Sequence, residues 1–219
     1  MKISRNTASE SNSLAEQAYH LLEEQLVTLK LAPGELVGEK DLVGRAGIGR
    51  TPVREAIQRL SAEGLLQVLP RKGLMVTPLR RSDLVKIIEA RRVLERLMVV
   101  KSAERATPDQ RQALRTIAAH IEAADNDAEV FFRLNNRLGE LLETACQNRF
   151  LAGALAAMQS QCRRLWYLRR NRLNLSRSAE LHGGLARAVA DGDGAGAIRA
   201  LDETIATLES LVDGLDVLS

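Results

Sequence analysis

The feature that most limits the fold of this chain is the spacing of its apolar residues beyond position 80. From about residue 82 to residue 213 they recur three and four positions apart, as along one face of an α-helix. Polar breaks at TPD, DND, QN, NLS and DGDG divide this stretch into six segments. Aromatic residues make up only 3% of the chain, whereas leucine, alanine, arginine and glutamate are abundant, and this composition favours helices. The sequence therefore predicts an all-α bundle of six helices.

The residues before this bundle show a different order of elements. Leucines at helical spacing begin near Ser13, and the sequence APGE ends that helix. A short helix fits residues 40–46, and the turn GIG separates it from a third helix. We expect Thr51 to cap that third helix, with Pro52 in its first turn, and Gly64 to end it. Two apolar segments joined by a Pro-Arg-Lys-Gly turn then predict a small hairpin.

Helix, helix, helix and hairpin are the elements of a winged helix-turn-helix, so the sequence predicts a mainly α fold with such a domain at its N-terminus. The segment TPLRRSD is the joint to the helical bundle. The predicted organisation is a flexible tail at residues 1–12, the winged helix-turn-helix at 13–77, a linker at 78–82 and the helical domain at 83–213.

The third helix carries polar side chains that suit DNA. Arg50, Arg54 and Gln58 lie four residues apart and share a side, roughly opposite the apolar stripe of the same helix. Arginine can make paired hydrogen bonds to guanine, and glutamine to adenine. Arg71 and Lys72, at the tip of the hairpin, are placed to reach an adjacent phosphate or the minor groove.

The alternative is that these charges are simply solvated, as most surface arginines are. On that view Glu55 and Arg59, four residues apart on the same helix, form an ordinary surface ion pair. The order of the elements, with a basic helix and a basic hairpin tip in sequence, favours DNA binding over this alternative.

The segment GEKDLVGRAGIGRTPVREAIQRLSAEGLLQVLPRKGLMVTPL resembles the winged helix-turn-helix of GntR-type transcription regulators. The helical remainder resembles the effector domain of the FadR branch, the FCD domain, and its six predicted helices are closest to the VanR-like subgroup. Many relatives carry serine where this chain has Gly49, which removes one phosphate contact. The resemblance implies that DNA is approached by Lys40, Arg50, Arg54 and Gly73, with Thr51 in the same stretch.

The same resemblance implies a divalent metal in many FCD domains, held by an aspartate, a histidine four residues later, and two further histidines about 22 residues apart. In this chain those positions hold Asn135, Gly139, His182 and Thr204, so a single histidine remains. Neutral amide and hydroxyl oxygens are poor ligands for a transition metal beside one imidazole. We therefore expect no metal and no other cofactor.

Periodicity independently places these four positions on apolar helix faces, where polar or missing side chains suggest a cavity for a small molecule. The alternative for His182 is a core histidine with its hydrogen bonds satisfied.

Three further residues are candidates for binding that small molecule. Arg91 lies on the inward stripe of its helix, and Glu95 follows four residues later, so the two form either a structural ion pair or a carboxylate receptor. In the run RRLWYLRRNR, Arg163 and Trp166 share a side and could reach the cavity. A solvated helix face and a second nucleic-acid contact are the alternatives for that run.

The sequence thus predicts a homodimeric, ligand-responsive repressor that binds a pseudo-palindromic operator in double-stranded DNA. A small organic acid, a carboxylate, would release or reposition it. One alternative is a structural DNA-binding protein without an effector. The other is a helical enzyme that uses Arg91 and His182 on an acidic substrate.

No catalytic motif is found, so we expect no enzymatic activity. Because the N-terminal residues are polar and no long apolar run occurs, we expect no secretory signal, no membrane span and a cytoplasmic location.

Overall fold

The computed structural model of the chain describes residues 6–124, 127–213 and 215. The described residues form nine α-helices and one small sheet, which confirms the predicted mainly α fold. In chain order the elements are α1 (Asn6–Val27), β1 (Leu36–Val37), α2 (Glu39–Ala46), α3 (Arg50–Ala62), β2 (Leu66–Leu69), β3 (Gly73–Val76), α4 (Arg81–Arg105), α5 (Pro108–Glu122), α6 (Ala128–Ala145), α7 (Arg149–Arg169), α8 (Leu175–Asp191) and α9 (Gly194–Val212), with a short 3₁₀ turn at Arg170–Arg172.

These elements form two compact units. The first contains the chain up to Arg81, together with Ser160–Leu168 from α7 and Leu215. The second contains Ser82–Gln159 and the chain from Arg169 onward. Residues 160–168 had been assigned to the helical domain by sequence, so the division of the chain is less simple than the sequence predicts. Periodicity identifies a helix but not the neighbours against which each of its turns packs.

The core of the first unit lies between α1 and α3, where Leu22, Leu26, Val53 and Leu60 are all fully buried. The three strands form an antiparallel sheet in the order β1-β3-β2. The hairpin of β2 and β3 matches the predicted wing, and the two-residue strand β1 adds an edge that the sequence did not indicate because two residues show no periodicity.

Two boundaries in this unit differ from the sequence-based expectation. Helix α1 begins at Asn6, so residues 6–12 are helical rather than part of a tail, because a helix extends readily once its first turn has formed. Residues 1–5 lie outside the described part of the chain. Helix α3 begins at Arg50 with Gly49 as N-cap, so Thr51 is not the cap but lies in the first turn.

The tip of the wing depends on a glycine. Gly73 has φ +92°, and a Cβ atom at this position would lie 3.1 Å from the carbonyl oxygen of Val37. Both the left-handed backbone and the close approach of β1 exclude a side chain here without strain. The turn therefore presents the backbone at Gly73, with Arg71 and Lys72 beside it, to solvent.

In the second unit, the polar breaks seen in the sequence are helix caps. Thr107 Oγ1 accepts a hydrogen bond from the backbone N–H of Gln110 at 3.3 Å, and Asp127 Oδ1 accepts one from Glu129 at 2.9 Å. Asn174 and Asp193 do the same at the starts of α8 and α9. Each break therefore satisfies backbone donors that a helix start leaves free, which explains why the segment boundaries are legible in the sequence.

Candidate nucleic-acid interface and effector site

Helix α3 presents its cationic side to solvent. The side chains of Arg50 and Arg54 are 71% and 65% exposed, whereas Val53 on the opposite side is fully buried. The apolar stripe of α3 packs on α1, and this packing directs the other side of the helix outward. The predicted contact residues on the exposed surface of this unit are Lys40, Arg50, Thr51, Arg54, Gln58, Arg71, Lys72 and Gly73. Their contact with DNA stays a prediction.

One acidic residue beside this surface was not foreseen. Glu39, the first residue of α2, lies with Oε1 3.6 Å from Arg50 Nε and with Oε2 3.4 Å from Arg54 Nε. The helix-turn-helix brings the start of α2 next to the start of α3. Sequence periodicity within one helix cannot reveal such a pair, because the partners lie on two helices.

A polar cluster attaches α3 to α1. The hydroxyl of Tyr19 donates to Glu63 Oε2 at 2.7 Å, and the guanidinium of Arg59 lies 3.6 Å from the centre of the Tyr19 ring. Arg59 also donates to Glu16 at 3.0 Å and to Glu63 at 3.1 Å. The predicted surface pair of Arg59 with Glu55 is therefore wrong, because α1 supplies closer carboxylates. Burial, together with the nearby carboxylates, raises the pKa of Tyr19 above its usual value, so the phenol stays protonated.

The segment of α7 that belongs to the first unit makes polar contacts with α1. Ser160 Oγ donates to Glu23 Oε1 at 2.6 Å, and Arg163 Nη2 donates to the same oxygen. Glu23 is only 9% exposed, so its carboxylate is neutralised by a cation more than a hundred residues further along the chain.

The same segment contacts the ends of α3 and of the wing. Gln161 Nε2 donates to the carbonyl oxygen of Gly64 at 2.9 Å, just beyond α3, and Arg164 Nη2 donates to the carbonyl oxygen of Thr77, just beyond β3. Arg164 is fully buried, and burial lowers its pKa to about 10. None of these contacts had a signal in the sequence beyond the arginine-rich run itself.

Two of the predicted effector residues, Arg163 and Trp166, therefore lie in the first unit. Arg163 is occupied by Glu23 and Ser160, and Trp166 is 6% exposed. For Arg163, the structure shows an ion pair within this unit. The role of both residues in binding a small molecule stays a prediction.

In the second unit, α4, α6 and α8 bring several of the other predicted residues together. Arg91 Nη2 lies 2.7 Å from Glu95 Oε1, and both side chains are largely buried. The ring of His182 packs edge-on against Phe131, with 5.3 Å between ring centres. The charges of Arg91 and Glu95 both act on His182, which places the pair and the imidazole in one polar cluster.

His182 is held as a neutral imidazole. Its Nδ1 lies 2.8 Å from the carbonyl oxygen of Ser178, and burial lowers the pKa of His182 below its usual value. A neutral, buried histidine with one nitrogen already engaged fits a core position, and it also leaves Nε2 as a donor or acceptor for a ligand.

The residues at the family's metal-ligand positions do not fit a metal. Gly139 has no donor atom, and the hydroxyl of Thr204 donates to the carbonyl oxygen of Ala200 at 3.0 Å. Asn135 offers only an amide, which leaves His182 as the single strong ligand. Within the described ranges, no group of three or more His, Cys, Asp or Glu side chains is arranged to hold a metal ion.

A Cβ atom at Gly139 would meet no heavy atom within 4 Å, so space adjoins α6 where the family places its first histidine. A separate cleft of about 200 Å³ in the second unit lies beyond Phe131. Its described lining contains none of the seven predicted effector residues; it consists of Glu122, Ala124, Asp127, Phe131, Leu175, Ser176, Ala179 and Glu180.

None of the helices, as far as they are described, combines the length and the hydropathy needed to cross a bilayer.

Comparison with known families agrees with both units. The model of the bacterial regulatory proteins of the gntR family matches residues 14–76, and that of the FCD domain matches residues 86–207. The second match covers more than half of the chain, and the FCD domain agrees with the predicted FadR branch.

Individual relatives carry the same description. An uncharacterised HTH-type transcriptional regulator of Bacillus subtilis, YdhC, is 32% identical over 143 residues, which are 64% of this chain and 63% of the relative. The HTH-type transcriptional repressor RspR of Escherichia coli is 29% identical over 131 residues, 58% of this chain and 57% of that protein. The matched part of this chain thus spans less than two thirds of either relative.

The fold also has a close counterpart among solved structures. The E. coli protein McbR/YncC superposes with a TM-score of 0.78 over 91% of this chain and 96% of that chain, at 23% identity. Its relatives are named as transcriptional regulators and not as enzymes, and GntR-type regulators bind DNA. The chain therefore belongs to the GntR family of bacterial transcription regulators, with an N-terminal winged helix-turn-helix and an FCD domain.

Proposed function

We propose that this protein is a homodimeric repressor whose hold on a pseudo-palindromic operator in the cytoplasm is changed by a small organic acid. The observation that carries the DNA-binding part is the exposed cationic side of α3. Its arginines project into solvent while the rest of the helix is packed on α1. The repressor role follows the printed name of RspR, the relative from E. coli.

The DNA contact is tested by Arg54→Ala. A paired arginine–guanine contact contributes about 1–3 kcal/mol, so the variant should bind its operator at least about tenfold more weakly. Fluorescence anisotropy with DNA from the region upstream of its own gene measures the change. The matched control is Arg137→Ala, which removes an exposed arginine from α6 in the second unit. Equal binding by Arg54→Ala and wild type would contradict the assigned recognition surface.

Two subunits would place two α3 helices in successive major grooves of one DNA face. Their half-sites would then lie about one helical turn, roughly 34 Å, apart. Sedimentation velocity of the full chain, with and without operator, reports whether the species that binds DNA is a dimer. A monomer that binds a single half-site with full affinity would contradict this part of the proposal.

For the effector, support comes from the buried cluster of Arg91, Glu95 and His182 and from the space beside Gly139. The guanidinium of Arg91 can bind a carboxylate in bidentate fashion if the ligand shares or replaces Glu95. A thermal-shift screen of small carboxylic acids tests the class, because a ligand that binds only the folded state raises the apparent stability. The Arg91→Ala variant should lose the ligand-induced shift in Tm even if its own Tm is lower.

We also propose that this site works without a metal, since the donor set retains one imidazole. Elemental analysis of protein purified without chelator checks this. A stoichiometric transition metal would contradict it.

Helix α7 offers the covalent route between ligand and DNA, because its residues are divided between the two units and its second half contacts α1, α3 and the wing. A ligand can shift DNA affinity only by its difference in affinity for the two arrangements of the protein.

A further inference from the structure

Glu39 stands at the junction of the two helices of the helix-turn-helix, within reach of both recognition arginines. Its two carboxylate oxygens are divided between them, Oε1 at 3.6 Å from Arg50 Nε and Oε2 at 3.4 Å from Arg54 Nε. The Glu39 side chain is 38% exposed, so the pairing forms at the surface rather than in the core. One anion thus contacts two cations that belong to successive turns of α3.

The atoms involved matter, because a guanidinium has two hydrogen-bonding edges. In both pairs the contacting nitrogen is Nε, which lies on the side edge. The terminal edge, formed by Nη1 and Nη2, is the one that can also make paired hydrogen bonds to O6 and N7 of guanine. A carboxylate at Nε therefore restricts the direction of the side chain without occupying the terminal edge.

The charge of Glu39 has a second effect. Contacts between cations and phosphates supply most of the sequence-independent affinity of a DNA-binding protein. A carboxylate between two arginines offsets part of their charge and weakens that affinity. It leaves base contacts, which depend on direction, comparatively unaffected.

We propose that Glu39 is a positioning residue for sequence recognition, which aims Arg50 and Arg54 at base edges and lowers their attraction to phosphates. This inference rests on the proposed DNA-binding function. It adds a residue that itself need not touch DNA, and it predicts that the residue controls specificity rather than overall affinity.

The experiment uses the full chain and an operator obtained by in vitro selection. Glu39→Gln keeps the shape of the side chain and removes its charge, whereas Glu39→Asp keeps the charge and shortens the reach. Glu24→Gln, an exposed glutamate on α1, is the matched control for the loss of one negative charge. Anisotropy gives the affinities for operator and for scrambled DNA at several salt concentrations.

For Glu39→Gln we expect the affinity for scrambled DNA to rise, the slope of log K against log[salt] to steepen by up to about 0.9, and the ratio of specific to non-specific affinity to fall about three- to tenfold. For Glu39→Asp we expect wild-type affinity for scrambled DNA and a reduced ratio. Glu24→Gln should keep the wild-type ratio. Because each ratio compares two DNAs on one protein preparation, a loss of folded protein does not change it.

Replacing operator guanines by 7-deazaguanine removes the N7 acceptor and tests the aim of the arginines directly. We expect a loss of about tenfold for wild type and about threefold for Glu39→Gln, since misdirected arginines gain less from N7. Equal losses, or a wild-type affinity ratio in either Glu39 variant, would overturn the inference. A selection that yields no preferred sequence would instead contradict the proposed function itself.

Discussion

Arg164 carries a guanidinium into the interior of the first unit. Its partners there are neutral, the side-chain oxygen of Gln161 at 2.8 Å and the carbonyl oxygen of Thr77, and its Nε has no hydrogen-bond partner within the described residues. Burial accordingly lowers its pKa to about 10. Such a residue stabilises the fold through its volume and its hydrogen bonds rather than through its charge.

We therefore expect Arg164→Ala to lower the free energy of unfolding by about 2–4 kcal/mol, because it leaves a cavity and frees two acceptors. Arg164→Met fills most of the volume and should cost clearly less. Urea denaturation followed by circular dichroism measures both. Equal losses for the two variants would show that the charge matters more than the volume.

His182 makes the second prediction at this scale. Its pKa is below the unfolded value of about 6.5, so just below that pH the unfolded chain binds more protons than the folded one. The free energy of unfolding should therefore rise as the pH increases through this window, and stability should be lost on acidification. The groups that act on the imidazole there are Arg91, Glu95 and the carbonyl of Ser178.

Replacing His182 by Gln should flatten this slope by at most about 1.4 kcal/mol per pH unit, the value for one proton. Denaturant titrations at pH 5, 6 and 7 give the slope for each protein. The matched control is the exposed His120→Gln, which retains the buried imidazole. An undiminished slope in His182→Gln would assign the pH dependence to other groups.

At the scale of elements, α3 depends on α1 for its presentation. The apolar contact is complemented by the polar cluster of Tyr19, Arg59 and Glu63, in which the phenol hydroxyl donates to a carboxylate. Sequence periodicity predicted the buried stripe of α3 correctly but assigned Arg59 to the wrong partner.

Tyr19→Phe removes only the hydroxyl, and we expect it to lower the free energy of unfolding by about 1–2 kcal/mol, the usual loss for a hydrogen bond to a charged group. The aromatic ring stays under Arg59, so the ratio of specific to non-specific DNA affinity should not change. Denaturation and anisotropy measurements on the same preparation test both statements. A loss of specificity without a loss of stability would contradict this role for Tyr19.

At the scale of the whole molecule, the polar contacts of Glu23 join residues that are 137 and 140 positions apart in the chain. They connect α1 with the segment of α7 that completes the first unit. The winged helix-turn-helix predicted from residues 13–77 is therefore not the whole of that unit, and Ser160–Leu168 is part of it.

Glu23→Gln should lower the free energy of unfolding by about 1–3 kcal/mol, because Arg163 loses its buried carboxylate partner. Glu24→Gln, one residue later and exposed, should change it by less than about 0.5 kcal/mol. Hydrogen exchange should show reduced protection in α1 and in residues 160–168 of the first variant alone. Unchanged exchange there would mean that apolar packing, and not this ion pair, holds the segment in place.

What the amino-acid order determined by itself was local. Apolar spacing identified the helices, and the breaks at Thr107, Asp127, Asn174 and Asp193 proved to be their caps, because capping involves residues three positions apart or fewer. The outward direction of Arg50 and Arg54 followed in the same way from the buried stripe of their own helix.

What only the tertiary structure decided was the choice of partners between elements. Glu39 beside the recognition arginines, Glu23 beside Arg163, and the membership of residues 160–168 in the first unit all depend on which helices pack together. A helical period specifies which side of a helix is buried, but many surfaces can cover that side equally well by area alone. The selection among them is made by long-range packing and charge pairing, which no local pattern records.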